Sequence, residues 1–486
     1  MNRKKISLSD ITAFKTEHVP RPHVNALVRP HCDYSAAERR AAAELGGWNV
    51  FKFPSKMLLV DLLTDSGTMT LTHDQISEMM KGAGGGNYAI SEGYELLKEQ
   101  IERTFGFDPK ESELYLFPQG RVAEHALCSC LKGEHMVVLA NTFFDTTRAN
   151  FEWQGIVAED MTVLRGGKAD ARFLGNMNLE KLERCLTKYK GRVPIVYSTI
   201  TNNTCAGQPV SMANLRATRD LCRAHGVSFF LDACRFPQNA YFVKTRERGY
   251  ADRSIDDIVR ETMSYADGIT ISFKKDVAPI GGALIVRKGA PLVTRQPGIL
   301  RFLRSHQRIA ASNETQGAMT EMDKMTIAEG LRIVTNEAYL RGRIGQVAEF
   351  GTYLANLGLP VVYPFGGHAV YLDTDKFFKG TDMRREDFGG IALTSLLLLK
   401  GVRLCELGSF AFGKYDAATG QETFPPHNFV RAAIPANRNE LQDFMYVGDC
   451  LKKLHDRRDE IPCAVPVFGR DEPLRHFEAR FKLVNR

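Results

Sequence analysis

The sequence has no long apolar run. Although 44% of its 486 residues are hydrophobic, no stretch approaches the roughly 20 residues that a membrane-spanning helix needs. The basic start Met1-Asn2-Arg3-Lys4-Lys5 is not followed by an apolar core, so no signal peptide is expected and a cytoplasmic location is. The ten cysteines never fall at Cys-x-x-Cys spacing, which argues for reduced, mostly buried thiols. Cys128-Ser129-Cys130 comes nearest, but a helix sends those two side chains to different faces. The twelve histidines lack paired metal spacing, so no metal is expected, and His125, His225 and His368 read as structural or pocket-lining. A formal charge of +7 comes without a basic stripe interleaved with aromatics, which gives no ground to expect nucleic acid. Gly82-Ala83-Gly84-Gly85-Gly86 lacks the Gly-Lys-Ser/Thr of a nucleotide loop. No internal repeat is present.

What remains is a chain long enough to bury two cores, one large and one small. Strand-helix alternation from Asp61 to about Val286 predicts a mostly parallel sheet with helices on both sides and ligands at the carboxyl ends of its strands. Within it, Ser211 to His225 reads as a helix capped by Ser211, with Leu215 and Leu221 on one face and Gly226 ending it. A single long helix from about Met322 to Leu357 leads into a smaller α/β domain. The expected division is 1–60 for an N-terminal arm and part of the small domain, 61–321 for the large domain, and 322–486 for the linking helix and small domain. The charge-rich stretch to about Gly46 is expected to pack on a partner subunit.

The chemistry concentrates at strand ends. Gly268 to Ser272 and Ala283 to Val286 read as strands, and Lys274-Lys275 stand in the loop between them, followed by Asp276. A lysine attacks a carbonyl only when deprotonated, and desolvation with a second cation lowers its pKa. Lys274 would be that cation for Lys275. Upstream, the run Val227 to Leu231 ends at Asp232-Ala233-Cys234-Arg235. A carboxylate at the mouth of a buried strand needs a cationic partner, and the protonated ring nitrogen of pyridoxal phosphate is one. Alone, the lysines read as a solvated pair and Asp232 as a turn cap. Together they point to that cofactor.

Two further segments fit. Gln119-Gly120-Arg121 follows the run Leu114 to Phe117 and precedes a helical stretch, Val122 to Leu131, and backbone amides at a helix start bind phosphate. Phe144, after the strand Met136 to Ala140, could stack on a planar ring.

These residues resemble the tryptophanase and tyrosine phenol-lyase family of pyridoxal-phosphate β-eliminating lyases. The resemblance is carried by Leu62 to Thr68, Gln119 to Arg121, Gly207 to Asn214, Asp232 to Arg235, Ser272 to Asp276 and Gly366 to Val370. It implies an aspartate-aminotransferase-like α/β fold (fold type I), with a large domain built on a mostly parallel sheet and a smaller α/β domain. It also implies pyridoxal phosphate as cofactor, an amino-acid substrate, and a homo-oligomer, dimer or tetramer, with sites completed between subunits. Carried over by position, Lys275 forms the imine and removes the α-proton, and Asp232 pairs with the ring nitrogen. Asn203 and Arg235 contact the phenolic oxygen. Gln119, Gly120, Arg121 and Ser272, with Lys274 close by, cradle the phosphate, and Phe144 stacks on the ring. Tyr88 passes a proton to the leaving group, and Thr64 faces the substrate. Asp145, Leu407 and His476 stand at positions that separate indole from phenol substrates, and all three fall on the tryptophanase side. Asp145 would accept the charge that develops on an indole N-H.

Three departures bear on the substrate. The family's carboxylate-binding arginine is expected directly after an Ile-Pro pair, where this chain has Ala436. Losing such a fork costs about 1.5–3 kcal/mol per hydrogen bond, and Arg438 is the candidate to replace it. Gly86 stands where the family has the glutamate of its monovalent-cation site, which puts a potassium requirement in doubt. Gln316-Gly317-Ala318 replaces a Tyr-Gly-Gly loop. The leading expectation is a lyase releasing indole, pyruvate and ammonia from tryptophan or a related aromatic amino acid. The alternatives are a divergent enzyme acting on a modified amino acid, and a cofactor-binding protein without turnover.

Overall fold

The computed structural model describes residues 31–485 apart from residues 87, 132 and 164–170. The expected arm therefore lies, up to residue 30, outside the described residues. The part that follows packs on its own chain: helix Ala36–Leu45 buries Ala43 with Val50, Phe53 and Leu58 against Tyr371, Leu398 and Phe429.

Seven strands form the main sheet: β1 (Ser112–Phe117), β2 (Val137–Ala140), β3 (Val157–Asp160), β4 (Ile195–Thr199), β5 (Ser228–Asp232), β6 (Gly268–Ser272) and β7 (Gly282–Arg287). Their order is β1-β7-β6-β5-β4-β2-β3, and β7 alone runs against its neighbours. Every residue of β2, β4, β5 and β6 is buried, as expected of parallel strands covered on both faces. Alternation divides them between two cores. Phe229 and Leu231 of β5 pack on one side of the sheet, and Phe230 with Tyr197 of β4 on the other. The expected helix is Met212–Ala224; Ser211 accepts from the Asn214 N–H at 3.1 Å and Gly226 follows at φ 60°.

The expected single helix from Met322 to Leu357 is two helices, Glu321–Val334 and Glu337–Asn356. Apolar periodicity runs on across the break. Asn336 interrupts it, leaving helical geometry at ψ 123° so that its side chain accepts from the Tyr339 N–H at 3.0 Å. The second helix links the cores. Tyr339 and Leu340 belong to the sheet's core, whereas Val347, Phe350 and Leu354 pack with Val370, Leu372 and Val430 in another. That second core covers a three-stranded antiparallel sheet of β8 (Ala369–Asp373), β9 (Cys405–Leu407) and β10 (Phe429–Ala433), in the order β9-β10-β8.

Among the described residues, no helix is long and apolar enough to cross a membrane and no group of His, Cys, Asp or Glu is placed to hold a metal. All ten cysteines are free thiols, of which Cys32 is exposed, Cys234 half-buried and the rest buried. Burial pushes the thiols of Cys205 and Cys405 up to about 12 and about 11. Ellman's reagent should therefore titrate one thiol rapidly in the native protein and ten after unfolding; several fast-reacting thiols in the native protein would contradict this packing.

Candidate active site

The carboxyl ends of β1, β2, β4, β5 and β6 converge on a cavity of about 220 Å³. Lys275, Asp232, Arg235, Asn203 and Phe144 line it, as do Gln119, Gly120, Arg121, Ser272 and Lys274. So do Thr64, Asp145, Leu407 and His476. Two sequence candidates lie elsewhere, Tyr88 and Arg438.

Lys275 is half-buried on the cavity wall, and desolvation together with the Arg235 guanidinium lowers its pKa against the pull of Asp65, Cys234 and Asp232. Arg235 is the larger depressing cation, and Lys274, which adjacency suggested, repels the same amine. The Lys274 chain turns away toward Gly67, where an added Cβ would stand 2.9 Å from its Cε. Lys274 has its own pKa lowered by burial, Lys275 and Arg121. Arg235 is fixed by a buried, two-pronged pair with Asp65, Nε to Oδ2 at 2.9 Å and Nη2 to Oδ1 at 2.8 Å. Burial opposes the Asp65 charge, but Arg235 holds its carboxyl well below the usual range. Asp232 accepts from the Cys234 N–H at 3.1 Å.

At another wall, helix Gly120–Cys130 begins without a side-chain cap at Gln119; the Val122 and Ala123 N–H groups donate to the Gln119 carbonyl, and Gly120 and Arg121, which line the cavity, bring the helix-start amides suited to an anion. Glycine is required at its first position, because a Cβ on Gly120 would stand 2.6 Å from the Cβ of Ser272. Arg121, Ser272 and Lys274 add hydroxyl and cationic donors there.

The arginine facing the cavity from β10 is Arg431. It is 5% exposed and donates through Nη1 to Asn203 Oδ1 at 3.0 Å and through Nη2 to the Leu63 carbonyl at 2.8 Å, and its Nε is buried without a partner. Asn203 Oδ1 also accepts from the Tyr371 hydroxyl at 2.6 Å, which leaves its NH₂ to offer a ligand. The expectation that Ala436 marks a lost carboxylate fork is overturned. Ala436 is fully buried outside the cavity wall, its carbonyl accepting from the Thr70 N–H at 3.1 Å. Arg438 does not replace it either, being exposed with Nη1 on the Thr68 carbonyl at 3.3 Å.

In the same cavity, Asp145 and His476 form a buried pair, Oδ2 to Nε2 at 3.0 Å, while Asp145 Oδ1 accepts from the Thr146 N–H at 2.6 Å. Burial works against the charge on Asp145, but the His476 bond and Thr146 hold its pKa down. Leu407 of β9 lies on the same wall. Glu124, missed in the sequence because it sits mid-helix, also lines the cavity and accepts from Thr147 Oγ1 at 2.8 Å. Burial, reinforced by Asp232, pushes its carboxyl up to about 8. Asp65 and Arg431 were missed as well. The signal for Arg431 was a lone charge inside an otherwise apolar strand. Tyr88 is 72% exposed, on the loop before helix Glu92–Phe105.

The sequence matches the profile of the family described as "Beta-eliminating lyase" over residues 61–449. It is 36% identical over 452 residues to the tryptophanase of Salinibacter ruber, covering 92% of each chain. To the tyrosine phenol-lyase of Lacrimispora saccharolytica it is 33% identical, covering 96% of this chain and 97% of the relative. Among solved structures, a serine palmitoyltransferase of S. paucimobilis superposes with a TM-score of 0.54 at 14% identity, over 82% of this chain and 87% of that one. A threonine aldolase of Leishmania major does so with 0.53 at 13%, over 82% and 99%. These neighbours establish fold type I.

Glu124 generates a test by linkage. Its folded pKa lies above its ordinary value of 4.5, so stability is lost as the pH rises from there to about 8. Glu124→Gln, which keeps the acceptor for Thr147 but does not titrate, should gain thermal stability over the parent progressively across that interval and level off above it. A difference independent of pH would refute the assignment.

Proposed function

Because this chain belongs to the beta-eliminating lyase family and is a pyridoxal-phosphate-dependent lyase, we propose that its substrate is tryptophan or a related aromatic amino acid. The observation that carries the reading is the buried Asp145–His476 pair, which lines one cavity with Leu407, Lys275 and Asp232. An acidic acceptor suits an indole N-H, and an apolar Leu407 offers nothing to a phenolate.

The donor set fits the cofactor: an amine whose pKa is lowered, a buried carboxylate for a ring nitrogen, and helix-start amides with Arg121, Ser272 and Lys274 for a phosphate. When bound, pyridoxal phosphate supplies an electron sink for the pair left at the α-carbon. In this proposal Asp232 holds the ring nitrogen, Asn203 and Arg235 hold the phenolic oxygen, and Phe144 covers the ring. Arg431 grips the substrate α-carboxylate, with Thr64 alongside. Lys275 Nζ takes the α-proton. Asp145, held in place by His476, accepts from the indole N-H as the ring carbon is protonated. Tyr88 gives that proton, and since it is exposed on its own chain it does so in the site of a second copy. A homo-oligomer and a cytoplasmic location belong to the same proposal, and Gly86, lacking a carboxylate, supports turnover without potassium.

The second reading, a larger or modified arene, no longer rests on Ala436. A neighbouring cavity of about 620 Å³ supports it, sharing Asp145, Asn203 and Leu407 with the first. One face of helix Asp145–Trp153 and the rings of Phe412 and Phe424 line this space.

The holoenzyme should release indole and pyruvate from tryptophan faster than phenol from tyrosine. Arg431→Gln should lower kcat/KM on tryptophan by about 10- to 100-fold, the value of one lost charge-assisted bond, and Ala436→Arg should not restore it. Unchanged kinetics in Arg431→Gln would remove the carboxylate assignment, and faster phenol release would remove the substrate reading. Ring-substituted tryptophans outpacing tryptophan would select the larger arene.

A further inference from the structure

Lys324 is fully buried, far along the chain from Lys275, and does not line the cavity. It pairs with Glu321 one helical turn earlier, Nζ to Oε2 at 3.0 Å, and the two side chains are 2% and 5% exposed. Burying two charges costs several kcal/mol per ion, and such a pair adds little net stability. Its partners show what it fixes instead. Glu321 accepts from the Ser91 hydroxyl through one oxygen and from the Gly93 N–H through the other. Lys324 donates to Ser91 Oγ at 3.0 Å and to the Thr315 carbonyl at 3.4 Å.

The glycine-rich run acquires a purpose from the same contacts. A Cβ on Gly85 would stand 2.6 Å from Glu321 Cγ, one on Gly82 2.9 Å from the Met322 nitrogen, and one on Gly93 2.9 Å from Glu321 Cδ. Both ends of the 82–93 loop thus lie directly on the first turn of helix Glu321–Val334, a closeness only glycine permits. Between those ends stands Tyr88 at φ 63°, a left-handed conformation that a tyrosine rarely adopts and that persists only where its surroundings impose it.

We infer that the Glu321–Lys324 pair is a positioning device for Tyr88, clamping the loop at both ends and so setting where the phenol stands. The inference rests on the proposed role of Tyr88 as proton donor to the leaving group. Its chemistry separates two substrates. An arene leaves tryptophan only when its ring carbon is protonated, whereas S-(2-nitrophenyl)cysteine loses a thiolate that needs no acid.

The test is a double-mutant cycle of Tyr88→Phe and Lys324→Met in the holoenzyme, read on both substrates with hydrogen exchange followed over residues 82–93. Lys324→Met should lower kcat on tryptophan about tenfold or more with little change in KM, and spare the thiolate substrate. The double variant should be no slower than Tyr88→Phe, the non-additivity expected of groups acting as one unit. Exchange over 82–93 should rise. Additive losses, or equal losses on both substrates, would reduce the pair to a structural element and overturn the inference. If Lys324→Met does not fold, the charge-free double variant Glu321→Gln/Lys324→Met takes its place in the same cycle. If the parent enzyme turns over neither substrate, the lyase reading fails, and exchange over 82–93 then decides the clamp: unchanged protection in the variants rejects it.

Discussion

The pairing of Asp65 with Arg235 is the interaction on which the site depends. A carboxylate and a guanidinium, both buried, meet in two parallel hydrogen bonds between residues 170 positions apart. Removing either would strand the other's charge in a low-dielectric interior at a cost of about 3–5 kcal/mol. The pair fixes where the guanidinium stands: burial and Arg235 lower the pKa of Lys275, while Asp65, Cys234 and Asp232 pull it back up. The charges around Lys275 therefore come in part from a residue at the end of β5 and a residue from the segment before the sheet begins.

The same solution recurs around the cavity. Asp276, next to Lys275, accepts from Arg343 Nε at 3.2 Å, and Arg343 Nη2 reaches the Ile434 carbonyl at 2.7 Å. Arg343 stands on helix Glu337–Asn356, which joins the two cores. A continuous chain of polar contacts therefore runs from the lysine's loop, through the linking helix, to the strand carrying Arg431. The small sheet contributes Leu407 and Arg431, the large sheet contributes Lys275 and Asp232, and Arg343 fixes the distance between these contributions. Asp145 with His476, and away from the cavity Glu321 with Lys324, are further buried pairs of this kind, whereas Glu124, Asp232 and Arg431 are held in the cavity by neutral hydrogen-bond partners.

Much of this was legible because it is local. The strand Gly268–Ser272, the cap at Ser211 and the helix start after Gln119 follow from periodicity and turn chemistry within a few residues, and fourteen of the sixteen candidate site residues line one cavity. What escaped was pairing at a distance. Adjacency points to Lys274 as a cation for Lys275, and the two do repel, but the larger cationic contribution comes from Arg235, beyond the end of the neighbouring strand. The carboxylate fork was sought in the loop after β10, whereas strand alternation sets Arg431 on the face it shares with Phe429 and Ala433. The break at Asn336 was hidden by apolar spacing that continues through it. Tyr88 could not be placed from one chain, because its exposed ring looks outward.

The central claim is that one cavity-lining amine, Lys275, carries the cofactor opposite Asp232. Reducing the holoenzyme with borohydride and mapping its peptides by mass tests this most directly. The account predicts that the cofactor's mass appears on the peptide containing Lys275 and is absent from the Lys275→Ala protein. Reduced cofactor on Lys274 or on any other lysine, or its retention in Lys275→Ala, would contradict it.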